Sequence, residues 1–379
     1  MGILVGMDEA GYGPNFGPLV VAATAWEVAE EVSGVGCRVS GNGEATSTRL
    51  SSPKSAAGLN STSDNKRNHS RAAVCDVAGK MPGPSEIDLY RVLRSVVSKS
   101  ASERRIAIAD SKALYHPGLG LRQLERGVHA ALTAMGQTPR WWSALLEFCR
   151  ADPDGHHRRH CWPDGHDSML PVDAAVDELV RLGARFERAC RAASVRPLIV
   201  RARLVFPAEF NELVAYYGTK GAALSHVTVG LLREVVDAIT PASQFPVPSP
   251  QSPIHAICDK HGGRNFYTAL LQHHFSEHWV EPVLESHAES RYEWGPPESR
   301  TRVTFRMNGE RFLPTALASM TAKYLRELAM RAFNEFWCAR VPSLRPTAGY
   351  PIDARRFKED IATAQRELRI DDHVLWRNR

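Results

Sequence analysis

An α/β fold, with helices packed on a central sheet, is what this sequence predicts, and three observations predict it. Short apolar, β-branched runs bounded by Gly, Pro or Asp read as buried strands, among them Ile3-Leu4-Val5, Leu19-Val20-Val21-Ala22-Ala23 and Ile254 to Cys258. Longer segments with helical spacing of apolar residues alternate with them. Hydrophobic residues make up 43% and charged residues 23% of the 379 positions, which is enough apolar material for a sizeable core and too little charge for a disordered chain.

Taken in order, Ile3 to Met7 is a strand that runs into Asp8, a glycine-rich turn follows, and a second buried strand resumes after Pro18. From about Ser33 to Ser70 the chain is rich in Ser, Gly, Asn and Thr, and no aromatic residue occurs between Trp26 and Tyr90, so a disordered insertion is expected over 30–85. The spacing of Leu89, Val92, Leu93, Val96 and Val97 predicts one face of a helix, and Ile106 to Ala109 a strand ending at Asp110. Further helices are predicted at about 121–135, 172–193 and 221–239, and the last is read as a core helix with Lys220, Ser225 and Thr228 at its polar edge. His156, His157, His160, Cys161 and His166 crowd a Pro/Gly/Arg-rich stretch without a zinc spacing and are read as a solvated loop. Strands are predicted from Pro197 to Phe206 and from Arg300 to Met307, with a proline-rich connector from Phe245 to Pro253 between them. Helices are predicted from Leu313 to Trp337 and from Ala354 to Leu368. One domain over 1–379 is expected, enlarged at 30–85 and 136–200 and closed by a helical extension over 340–379.

The net charge of +5 fits a polyanionic partner without demanding one. No apolar run reaches the ~18 residues that a membrane span needs, and the chain starts in a strand rather than a signal peptide, so a cytoplasmic monomer is expected. Seven scattered cysteines with no Cys-x-x-Cys pair read as free thiols in a reducing compartment.

Acidic residues stand where strands end: Asp8 and Glu9, then Asp259, then Glu310. Carboxylates at strand ends can converge on one point, and four acids cannot stay ionised together without cations. Their hard oxygens suit Mg²⁺ or Mn²⁺, and two such ions would activate a water and stabilise a leaving oxygen in phosphodiester hydrolysis. Taken singly, each acid is more often a cap or a surface charge.

The surrounding sequence is more specific. Asp8-Glu9-Ala10-Gly11-Tyr12-Gly13-Pro14 followed by Gly17-Pro18-Leu19-Val20-Val21-Ala22-Ala23 resembles the opening motif of the ribonuclease HII family. Asp110-Ser111-Lys112 resembles its Asp-Ser-Lys motif, and Ile257-Cys258-Asp259 its central strand with a catalytic aspartate. Gly309-Glu310, Ala318-Ser319-Met320-Thr321-Ala322-Lys323 and Arg326-Glu327 are similar to its Gly-Asp, Ala-Ser-x-x-Ala-Lys and Arg-Asp series, and Gly349-Tyr350 to its Gly-Tyr.

The resemblance implies an RNase H-like fold with a central mixed five-stranded sheet. It also implies an endoribonuclease that cuts the RNA strand of RNA–DNA hybrids, leaving 5′-phosphate and 3′-hydroxyl ends. Asp8, Glu9, Asp259 and Glu310 would be the catalytic, metal-binding carboxylates. Gly11, Tyr12 and Gly13 would form the turn whose backbone meets the ribose 2′-hydroxyl, and Lys112, Ser319 and Lys323 would contact phosphates. Tyr350 would stack on a sugar or base, or pack the last helix. Two departures stand out: Tyr12 replaces an arginine, exchanging a phosphate-binding cation for a stacking ring, and Glu310 replaces an aspartate, one methylene longer. They leave two alternatives open: a catalytically weak nucleic-acid-binding protein, and a metal nuclease for branched or DNA substrates.

Overall fold

The computed structural model describes residues 2–29, 87–153, 155, 167–240 and 252–378. The insertion read over Ser33 to Ser70, the stretch holding His156 to His166 and most of the proline-rich connector lie outside them.

Strands β1 (Gly2–Ala10) and β2 (Leu19–Val28) pair antiparallel, from Gly2 opposite Val28 to Ala10 opposite Val20. On the far side of β2 lies antiparallel β5 (Val195–Val205), and on the far side of β1 lies parallel β6 (Ile254–Asp259), itself parallel to β9 (Thr301–Arg306). An antiparallel pair, β8 (Glu289–Trp294) and β7 (Glu281–Glu285), extends that edge, so among the described residues the sheet has seven strands in the order β5-β2-β1-β6-β9-β8-β7. The mixed α/β architecture is the one predicted, but the sheet is wider than the five strands expected. The two extra strands escaped the sequence reading because Glu281, Pro282, Glu285, Glu289 and Glu293 mask their pattern. The same residues suit an edge, where proline and charge discourage further pairing. A separate two-stranded sheet joins β3 (Val97–Ser98) to β4 (Ile106–Ala107).

β1, β2 and β6 are nearly continuous apolar runs because helices cover both faces. Leu4, Val20, Ala22 and Trp26 face one core, and Ile3, Val5, Met7, Val21 and Ala256 face the other. The helices, in chain order, are α1 (Leu89–Val92), α2 (Ser111–Leu114), α3 (Arg122–Ala134), α4 (Trp142–Cys149), α5 (Val176–Ala192), α6 (Pro207–Tyr217) and α7 (Lys220–Ile239). They continue with α8 (Thr268–His274), α9 (Leu313–Cys338), α10 (Pro351–Glu367) and α11 (Asp372–Leu375). Helix α9 is apolar nearly all round, as a helix enclosed between the sheet and other helices must be. Its first turn sits directly on Gly6, where a Cβ would lie 2.0 Å from the Thr315 amide nitrogen, so only glycine admits this contact. Helix α7 supplies Leu224, Leu231, Leu232 and Val235 to the opposite core.

The helix expected over 89–97 is a single turn. Val96 and Val97 instead feed the small sheet, where the Ile106 amide donates to the Val96 carbonyl, because a β-branched pair fits a pleated surface better than a helix. Within 136–200, the predicted strand and second helix form as β5 and α5, and α4 forms beside them. This part is tied to the body by Glu125 of α3, fully buried, whose carboxylate accepts from the amides of Val172, Asp173 and Ala174 and from the Tyr324 hydroxyl. Cys149, Cys190, Cys258 and Cys338 are free thiols. Among the described residues no helix is long and apolar enough to cross a membrane.

Candidate active site

β1 and β6 are adjacent, parallel and in register at Met7 and Cys258, so their next residues, Asp8 and Asp259, emerge side by side at the carboxyl ends of the strands. Open α/β sheets bind ligands outside the carboxyl ends of such strands. Alternation puts Asp8 on the face of Leu4 and Gly6, under helix α9, and Glu9 on the other face.

Asp8 is held at two points. Its carboxylate accepts from the Glu9 amide at 2.8 Å and shares a hydrogen bond with the Ser319 hydroxyl. Burial, then the charges of Glu9 and Asp259, push its pKa well above the ordinary carboxylate range. Burial and the Asp259 charge raise Glu9 from 4.5 to about 7 against the pull of Lys112. Asp259 is also raised, first by burial, although the Gly309 amide donates to it at 3.2 Å and Lys112 opposes the shift. Three carboxylates therefore lie close together: Glu9 and Asp259 oppose the ionisation of Asp8, and Asp259 opposes that of Glu9.

Glu310 follows Gly309, whose amide meets Asp259, in a single 3₁₀ turn, but its charge is not among those that act on Asp8, Glu9 or Asp259. Its charge acts on Tyr90, whose hydroxyl donates to the Ile108 carbonyl at 3.0 Å and whose pKa is raised by burial, Asp88 and Glu310. Asp110 is a cap: its carboxylate accepts from the Lys112 amide at 3.0 Å and starts α2. That cap aims Lys112 at the cluster. Burial alone would lower the Lys112 pKa, but Asp110, Asp8, Asp259 and Glu9 together raise it.

The predicted phosphate contacts differ in setting. Ser319 is only 2% exposed, donates to the Ser111 hydroxyl at 3.1 Å and acts on Asp8 in the direction that lowers its pKa, so it links α9, α2 and β1 from beneath. Lys323 forms an ion pair with Glu327 at 2.6 Å and sits over the Tyr115 ring at 4.4 Å. Tyr115 in turn donates to Glu327 at 2.7 Å. Lys323 is thus engaged within the fold by Glu327, which it shares with Arg326 at 3.4 Å.

Gly11 adopts a φ of 84°, and a Cβ there would lie 2.4 Å from Arg326 Nε, so the turn after β1 requires glycine at this point. Tyr12 is 38% and Tyr350 53% exposed, and they flank Gly13, with Lys220 Nζ 5.6 Å from the Tyr12 ring. Two arginines hold this turn: Arg377, which the sequence did not single out, and Arg326, which it gave only as part of a motif. Arg377, 1% exposed, donates to the carbonyls of Gly11 at 2.6 Å and of Pro14, while its own amide donates to Asn15 at 2.9 Å. Asn15 replies through its side chain to the Arg377 carbonyl at 3.0 Å. Arg326, equally buried, donates to the Ala348 carbonyl at 3.1 Å, bringing the Gly349-Tyr350 segment to the turn. Burial and the nearby Arg326 charge lower Arg377 to about 9. Beyond Asp259, Lys260 donates to Asn265 at 2.8 Å and to the Ser286 carbonyl at 2.6 Å, and His261 meets the Ser225 hydroxyl of α7 at 3.0 Å.

No protein-family profile matches this sequence, and no curated protein matches it. Solved structures to which the chain is similar include the RNase HII of Archaeoglobus fulgidus in complex with PCNA, at 14% identity and a TM-score of 0.38, covering 100% of this chain and 94% of that one. Another is the ribonuclease H2 of Pyrococcus horikoshii OT3, at 13% identity and a TM-score of 0.36, covering 98% and 92%. A third is Bst-RNase HIII in complex with Mn²⁺, at 12% identity and a TM-score of 0.37, covering 99% and 66%.

Proposed function

We propose that this chain is a metal-dependent endoribonuclease of the ribonuclease HII kind, acting on the RNA strand of an RNA–DNA duplex. The observation that carries this reading is the convergence of Asp8, Glu9 and Asp259 at the ends of two parallel strands, each with its pKa displaced upward. A fold that only bound nucleic acid would gain nothing from concentrating negative charge where phosphates must approach.

The donor set fits Mg²⁺ or Mn²⁺: it consists of carboxylate oxygens, and its mutual repulsion is the penalty a divalent cation removes. Asp8, Glu9 and Asp259 would hold the ions, with Glu310 joining from the adjacent turn. When bound, such ions acidify a water and neutralise the charge that develops on phosphate oxygens. The chain's own residues do the rest. Ser319 and the Glu9 amide orient Asp8, and the Gly309 amide orients Asp259. Lys112 offers a cation at the mouth of the cluster, where the scissile phosphate would lie. The rigid turn Gly11-Tyr12-Gly13 presents backbone close enough to meet a 2′-hydroxyl, and the Tyr12 and Tyr350 rings offer faces for a sugar or base. Water attacks phosphorus, the bond to the 3′-oxygen breaks, and that oxygen leaves with a proton, giving 5′-phosphate and 3′-hydroxyl ends.

The test is cleavage of end-labelled RNA–DNA hybrid, single-ribonucleotide duplex, double-stranded RNA and DNA, each with Mg²⁺, Mn²⁺ or chelator. Hybrid cleavage that needs a divalent ion is expected. Tight hybrid binding without cleavage under any ion would assign a binding protein instead, and cleavage of branched or plain DNA alone would assign a different nuclease.

A further inference from the structure

Helices α7 and α8 meet at three imidazoles. The ring nitrogens of His226 on α7 and of His273 and His274 at the end of α8 lie within 4.8 Å of one another. His226 Nδ1 and His274 Nε2 are 3.2 Å apart, close to the roughly 3.3 Å edge of a tetrahedron with ~2.0 Å metal–nitrogen bonds. Tyr217 stacks on His226 with centroids 3.8 Å apart and planes at 8°, fixing the ring's plane. Gly230, one helical turn beyond His226, leaves His274 the space a longer side chain would fill, since even a Cβ there would lie 3.6 Å from His274 Cε1. His273 is exposed and has room to close the remaining gap.

We propose that His226, His273 and His274 form a binding site for a zinc-class transition-metal ion, separate from the acidic cluster, with the fourth position open to water. Three neutral nitrogens with an open position suit Zn²⁺, Co²⁺, Ni²⁺ or Cu²⁺, whereas Mg²⁺ and Mn²⁺ favour oxygen. Arg233 stands beside the site, donating to the His274 carbonyl at 3.0 Å. Arg233 is itself balanced by Asp237 at 2.8 Å and Glu277 at 2.5 Å, which limits its repulsion of a bound ion.

The ion would tie α7 to α8 across the loop that follows Asp259. Ser225, adjacent to His226, already holds His261 in that loop at 3.0 Å. The site is therefore a clamp on the support of the acidic centre.

The test is a Zn²⁺ titration of the chelator-treated full chain, against a chromogenic chelator and in excess Mg²⁺ to fill oxygen sites. The unsubstituted chain is compared with His273→Gln, His226→Gln and Asp259→Asn. Because His273 is exposed, its substitution does not threaten folding, and melting in chelator checks both histidine variants. One tight Zn²⁺ equivalent is expected, weakened in both histidine variants by more than the ~10–100-fold that altering an outer partner of a metal ligand costs, and unchanged in Asp259→Asn. Unaltered zinc affinity in His226→Gln and His273→Gln, or loss of the tight equivalent in Asp259→Asn alone, would overturn the proposal.

Discussion

Replacing Glu9 by glutamine should stabilise the metal-free protein at pH 8 while removing activity. The Glu9 carboxyl is moved from 4.5 to about 7 by burial and the Asp259 charge. At about 1.4 kcal/mol per tenfold change in proton affinity, ionising it in the fold costs on the order of 3 kcal/mol, which partial exposure of the strand end cuts to about 1–3 kcal/mol. The sign follows from comparing the two states. Below about pH 4.5 the carboxyl is protonated in both folded and unfolded chains, and glutamine gains nothing. Between about pH 4.5 and 7 the unfolded chain has released this proton while the folded chain keeps it, so Glu9's share of the stability is lost through that window and is fully lost by pH 8, a loss the glutamine protein escapes. Urea unfolding in chelator at pH 4.5 and pH 8 measures this directly, and thermal unfolding should show the gain as ~2–4 °C per kcal/mol. A Glu9→Gln protein no more stable than its parent at pH 8, or equally stabilised at both values, would refute the electrostatic crowding on which the site rests.

Gly6→Ala should be among the most damaging changes, because the new Cβ would meet the backbone of Pro314 and Thr315 at 2.1 and 2.0 Å and neither can rotate away. A loss above ~4 kcal/mol is expected, read by thermal unfolding, and a melting point within ~2 °C of the parent would contradict it. Arg377→Ala orphans the carbonyls of Gly11 and Pro14, both met by one guanidinium nitrogen, so hybrid should bind at least ~10-fold more weakly. Parental affinity in Arg377→Ala would detach the chain's last residues from the site. Ser319→Ala removes a hydrogen bond that lowers the Asp8 pKa, so the acid limb of the pH–rate profile should move to higher pH; an unmoved limb would show that Ser319 does not act through Asp8.

The strands that carry Asp8 and Asp259 were legible because both are buried on two faces, leaving unbroken apolar runs that an acid conspicuously ends. The glycine of the following turn was legible for a local reason too, a positive φ. What escaped the sequence lacks any local signal. β7 and β8 carry charge and proline because one edge faces solvent. Helix α4, eight residues long, offers barely two turns of periodicity. Arg377 looks like a solvated basic residue near the chain end, and only tertiary packing against residues separated from it by more than 360 positions buries it. Ser319 and Lys323 were found by motif, but their partners, Asp8 and Ser111 for one and Glu327 and Tyr115 for the other, are set by packing. His226, His273 and His274 come from two elements and read as unrelated until the helices meet.

The central claim is that the acids at the strand ends perform metal-dependent hydrolysis rather than merely shape a surface. Asp259→Asn tests it most directly, since the change keeps the side chain's size and its acceptor for the Gly309 amide while removing the charge that would hold a cation. With labelled RNA–DNA hybrid and Mg²⁺ or Mn²⁺, the parent should yield 5′-phosphate and 3′-hydroxyl products, and Asp259→Asn should bind hybrid at least as tightly yet cut it at least ~10²-fold more slowly. Cleavage by Asp259→Asn at the parental rate, or 2′,3′-cyclic ends that mark the ribose hydroxyl as nucleophile, would contradict the account.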